Sequence, residues 1–127
     1  MAKFASSAVL RGGNSAIKSL CTKMLLVKNY TFGASYAAVQ AAKLAEVTVA
    51  NADFVQTTVG NNEQLALPTG KSAVATASSV AGDDLHFVFT DGIAVVHYVA
   101  DETTDQVVTS GNTVNFPSLL YTNNQPV

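Results

Sequence analysis

The sequence predicts a mainly β fold, an antiparallel β-sandwich or jelly-roll-like barrel, preceded by a short helical, extended N-terminal segment. Three observations lead there. From residue 46 onward, short runs rich in valine, threonine and phenylalanine alternate with Gly-, Pro-, Asn- and Asp-containing turn signals. Hydrophobic residues make up 48% of the chain and charged residues only 13%, which favours folding and a surface partly covered by neighbours. A length of 127 residues suits one domain with a core that needs no staples.

Taken in order, residues 1–20 read as an N-terminal arm and residues 21–127 as a single β-rich domain. Gly12-Gly13 interrupts the opening stretch, so one continuous helix is not expected. Asn14 or Ser15 could cap a short helix in which Ile17, Leu20, Cys21 and Met24 share a face. The letters "CTKMLLVKN" at 21–29 read equally as a strand. "SYAAVQAAKLAEV" at 35–47 is the best helix, alanine-rich and capped by Ser35. Strand-like runs follow: "EVTVA", "DFVQTTV", "QLAL", "SAVATA", "LHFVFT", "IAVVHYVA" and "NTVNF". Pro117 ends the last of them or places it at an edge. The tail "LLYTNNQPV" reads as a segment that lies along another chain, with the arm mobile before assembly.

Charge is unevenly placed. Lys3, Arg11, Lys18, Lys23, Lys28 and Lys43 precede every acid, whereas all nine acids lie in residues 46–127 with Lys71 alone. The basic segment either meets an acidic surface, on a partner, an identical neighbour or nucleic acid, or is neutralised within the molecule. Its wide spacing and the lack of a stacking platform disfavour nucleic acid. The start, Ser- and Ala-containing and free of acids, also has some character of a transit peptide, against which stands its single arginine. No apolar h-region follows it, so a secretory signal is not expected. The longest apolar runs, 24–27 and 93–96, are too short to span a bilayer.

The only two histidines, His86 and His97, are the obvious candidates for chemistry. Asp91-Gly92 between two β runs predicts a two-residue type I′ hairpin. Counting back from that turn pairs His86 with His97, with Cα atoms about 5.5 Å apart. It also pairs Val88 with Val95 and sets Leu85, Phe87, Phe89, Ala94, Val96 and Tyr98 on one core face. Only Asp84 then lies close, too few ligands for structural zinc, so no metal is expected and a chelator should leave the thermal midpoint unchanged. Adjacent Asp83 and Asp84 read as a solvated turn. Cys21 alone excludes an intrachain disulfide and reads as a buried small hydrophobe. No GxSxG elbow, P-loop or dinucleotide fingerprint appears. The chain is therefore expected not to be an enzyme and to need no cofactor.

The order of elements resembles a group of small virion structural proteins of tailed bacteriophages. In these a basic N-terminal segment leads to a "LCTKMLLVKN"-like strand and a Tyr-Ala-rich stretch. A "VTVANADF" segment follows, then hairpins ending in "GNTVNFPSLLYTNNQPV". The resemblance covers about residues 18–127, and its most specific parts are "TDGIAVVHYV" at 90–99 and "VTSGNTVNFP" at 108–117. The group carries a basic residue after the middle turn, where this chain has Asn61-Asn62-Glu63-Gln64, so a shared capsid contact there is not implied.

The resemblance implies a capsid decoration (cement) protein on the outside of a phage head shell, made in the host cytoplasm and located on the virion. Its partners would be the major capsid protein or other virion proteins, with a homo-oligomer in the particle and no membrane. The expected partner-binding residues are Arg11, Lys18, Lys23, Lys28 and Tyr121. A neck or tail component is the alternative within the resemblance, and a β-sandwich ligand-binding module the alternative outside it.

Overall fold

The computed structural model describes residues 3–125. It is mainly β, with antiparallel sheets and short helices. A helix α1 (Ser7–Leu20) opens the chain, followed by β1 (Lys23–Lys28), α2 (Tyr36–Ala41) and β2 (Lys43–Thr48). A 3₁₀ turn (Asn51–Asp53) precedes the hairpin of β3 (Val55–Val59) and β4 (Asn62–Ala66). Then come β5 (Ser72–Val74), β6 (Leu85–Thr90), β7 (Val96–Glu102), β8 (Thr113–Asn115) and β9 (Leu120–Asn123). Four strands form one sheet in the order β2-β1-β6-β7, three form a second in the order β3-β4-β9, and β5 pairs with β8.

The two central strands of the four-stranded sheet, β1 and β6, are largely buried on both faces. Met24, Leu26, Leu85, Phe87 and Phe89 join Leu65, Leu67, Phe54 and Phe116 in the main core. On the reverse face Leu25, Val27 and Val88 pack with Val39 of α2. This explains the unbroken apolar run of β1, since a strand covered on both sides needs no polar alternation. It also revises the expected hairpin, whose histidine-bearing face contains the fully buried Val88.

The N-terminal segment differs most from expectation. Residues 7–20 form one continuous helix, docked on β4 and β9, with Leu10, Asn14 and Ile17 buried along one stripe. Ser6, rather than Asn14 or Ser15, is the cap, its Oγ accepting from the Val9 amide at 3.3 Å. Glycine in a helix interior costs about 1 kcal/mol relative to alanine. At Gly13 a Cβ would make ordinary van der Waals contact, 3.4 Å from Asn123 Nδ2 and 3.5 Å from Tyr121 Oη, so it is the docking of α1 on β4 and β9 that offsets the glycine cost. The tail is equally integral: β9 pairs with β4 in register Glu63↔Asn123 to Ala66↔Leu120. Residues 126 and 127 of the expected tail lie outside the described residues.

Two further corrections concern the middle of the chain. The helix expected at 35–47 keeps its Ser35 cap, whose Oγ accepts from the Ala38 amide at 3.2 Å. It ends at Ala41, and residues 43–48 form β2 because Leu44 and Ala45 complete the main core beside β1. Residues 21–29, left open between helix and strand, resolve as β1 from Lys23.

Candidate functional site

The turn between β6 and β7 sets the geometry around the histidines. Asp91 does not form a two-residue type I′ turn with Gly92. Its Oδ1 instead accepts from the amides of Ile93, Ala94 and Val95 at 2.9, 2.8 and 3.0 Å. Those amide bonds, Val95 first, hold the Asp91 carboxyl at about 2, below the usual carboxylate range. One carboxylate that satisfies three amides stabilises a wider loop, residues 91–95, and Thr90 consequently pairs with Val96. A bulge follows at His97, since Phe89 already pairs with Tyr98.

The consequence for the histidines is direct. His86 stands opposite Asp101, and His97 is the bulged residue, so the two imidazoles do not face each other across the ladder. Asp84 lies on the same face as His86, two residues earlier in an extended segment. His86 Nδ1 is 3.9 Å from Asp84 Oδ1, and Nε2 is 3.6 Å from Asp101 Oδ1. The imidazole side chain is 17% exposed, whereas the two aspartates are more than half exposed. Tyr30 packs against the imidazole at a centroid distance of 5.6 Å and 46° between planes. His86, His97, Asp101, Tyr30, Phe32 and Val99 are among the residues lining an open depression of about 520 Å³. Asp83, in contrast, does serve the turn, accepting from the Val80 amide at 2.9 Å and from Asn29 Nδ2 at 3.0 Å.

The five residues expected to bind a partner are dispersed and engaged within the body. Arg11 Nε meets Glu63 Oε2 at 2.9 Å, and its Nη2 donates to Thr58 Oγ1 at 3.1 Å. Lys18 Nζ donates to the carbonyls of Asn51 and Phe54. Lys23 donates to Thr48 Oγ1 at 2.8 Å and Lys28 to the Ser78 carbonyl at 3.3 Å, from opposite ends of β1. Tyr121 is half-buried against Tyr98, with ring centroids 5.2 Å apart. Lys43 and Lys71 pair with Glu46 and Asp53. Of the basic segment, Arg11 and Lys43 meet carboxylates, whereas Lys18, Lys23 and Lys28 contact carbonyl and hydroxyl oxygens.

Asp101 is the residue that sequence reasoning missed. It sits in "DETTD", which reads as a loop, and becomes a cross-strand neighbour of His86 only in the shifted register. No family model matches the chain, and neither a curated protein nor a solved structure shows significant similarity to it. Among the described residues no helix is long and apolar enough to cross a membrane.

Proposed function

We propose that this chain is a virion structural protein, a decoration protein that seats as a homo-oligomer on the major capsid protein outside a phage head shell, with its two larger sheets arranged as a sandwich. The observation that carries this reading is apolar surface on a firmly built β body. Phe32 is fully exposed, and Phe4 and Ile93 are 81% and 80% exposed. On a sparsely charged protein these large side chains offer apolar surface that a partner could cover at little desolvation cost. The phage-protein resemblance of residues 90–99 and 108–117 supports the same reading. Because Arg11, Lys18, Lys23 and Lys28 are occupied internally, the reading assigns the shell contact to apolar side chains rather than to these cations.

The test is cosedimentation of purified protein with undecorated head shells and, separately, with isolated necks and tails. Saturable binding to shells is expected, reduced by Phe32→Ser and Ile93→Ser and little changed between roughly 0.15 M and 1 M salt, where exposed ion pairs are screened. Binding to tails alone would move the protein to the neck or tail. No binding to either would remove the virion reading. A ligand-binding module is the second reading, favoured by the depression that joins Tyr30 and Phe32 to two histidines and Asp101.

A further inference from the structure

We propose that Asp84, His86 and Asp101 bind a divalent transition-metal ion at the rim of the depression, leaving coordination positions open to solvent. One donor atom from each residue lies within 4.8 Å of the other two. Two donors each about 2.1 Å from a shared ion, at a tetrahedral angle, are about 3.4 Å apart. The 3.9 Å from His86 Nδ1 to Asp84 is near that value, whereas the 3.6 Å contact of Asp101 is to the other ring nitrogen, Nε2, so the exposed Asp101 carboxylate has to turn toward Nδ1 to share the ion.

A second observation concerns the imidazole itself. His86 Nδ1 is buried and makes no hydrogen bond to any described residue. Buried polar nitrogens are rarely left so. This nitrogen, 3.9 Å from Asp84 and without a hydrogen-bond partner, is a donor available to a cation that the two nearby carboxylates would also bind. Two negative charges balance a divalent one, and the nitrogen ligand selects a transition metal over magnesium or calcium. The scaffold is rigid where it matters. Asp84 precedes β6 on the His86 face, Asp101 is fixed opposite by the ladder, and Tyr30 restrains the ring. The premise that led the sequence away from metal, that only Asp84 lies close to the histidines, changes in this register, which takes His97 away from His86 and brings Asp101 to it.

The test titrates zinc chloride into the untagged full chain by calorimetry, with magnesium present as competitor, and follows the same titration by NMR. Saturable binding of one zinc per chain is expected, with the largest shifts at Asp84, His86, Asp101 and Tyr30. Asp84→Asn and Asp101→Asn, at exposed positions that should not impair folding, should each weaken binding by about tenfold or more, the scale on which even outer partners of metal sites act. His86→Asn should abolish it. Absence of saturable binding at millimolar zinc would overturn the proposal. Binding indifferent to both aspartate variants, or lost in His97→Ala and retained in His86→Asn, would overturn it equally. None of these outcomes depends on attachment to a phage shell.

Discussion

Arg11 and Glu63, fifty-two residues apart, join α1 to β4 through a 2.9 Å contact in which the carboxylate is 1% exposed and the guanidinium reaches solvent. Thr58 Oγ1 completes the group, 2.9 Å from Glu63 Oε1. A carboxylate this covered is tolerable only with such partners, because an isolated buried charge is strongly disfavoured.

The hydrogen bond from Arg11 is the largest influence holding the Glu63 carboxyl below the ordinary glutamate range, with Thr58 and Ser7 assisting against burial. A depressed carboxylate stabilises the fold above its unfolded-state pKa, about 4.3, and loses that contribution as pH falls through the lower folded value. Melting temperature should therefore hold near neutrality and fall on acidification below about pH 4. Glu63→Gln should flatten part of that acid limb. Arg11→Ala should destabilise at pH 7 more than Glu63→Gln, since it strands a charge. Thermal melts of the three proteins across pH decide this, and an unchanged acid limb in Glu63→Gln would refute it.

Removing residues 1–12 should destabilise the body rather than release a dispensable arm. The deletion takes the Ser6 cap, Leu10 and Arg11 together. As point changes, Leu10→Ala and Ile17→Ala should each cost about 2–4 kcal/mol, in the range of buried large-to-small substitutions. Urea denaturation measures both, and a truncated chain with an unaltered midpoint would detach the helix from the core.

Gly92 has φ +74, and a Cβ there would stand 3.0 Å from both Lys23 Cγ and Thr22 Oγ1. Gly60 also has positive φ, +61, but faces open space. Alanine at either position should cost about 1–2 kcal/mol from backbone conformation alone. Gly92→Ala should exceed Gly60→Ala by the added crowding at β1. Equal losses in parallel denaturation curves would show that Lys23 and Thr22 give way freely.

Cys21 is buried, and burial, with Asp91 adding a smaller push, raises its thiol to about 12. Thiolate is the reactive form. A disulfide reagent at pH 8 should modify the native protein slowly and the urea-unfolded protein at once. Rapid native labelling would mean that the α1–β1 junction opens readily.

Much of the β architecture was legible because its signals are local. Gly60-Asn61 turns β3 into β4, the run at 85–90 is β6, and Ser35 caps α2. The errors came from tertiary effects that override local preference. Gly12-Gly13 argues against a helix, but docking of the Leu10, Asn14 and Ile17 stripe on β4 and β9 outweighs the glycine cost. The alanines around Leu44 favoured a helix until β1 offered a ladder. At the histidines, an aspartate side chain bonding three amides shifted the register and brought Asp101 to His86. Turn rules based on backbone preference do not register that competition.

Gln125 grips Ala5 with two hydrogen bonds, from the Ala5 amide to Oε1 at 3.0 Å and from Nε2 to the Ala5 carbonyl at 2.9 Å. Asn123 adds a bond to the Leu10 carbonyl. The consequence lies in translation order. The docking surface of α1 includes β9, the last strand among the described residues, so on the ribosome α1 can meet β4 early but must wait for β9. Closing contacts between residues 120 apart carries a large loop entropy and a high contact order. Folding is thus expected to finish only once β9 is available, with part of the apolar stripe of the helix uncovered until then.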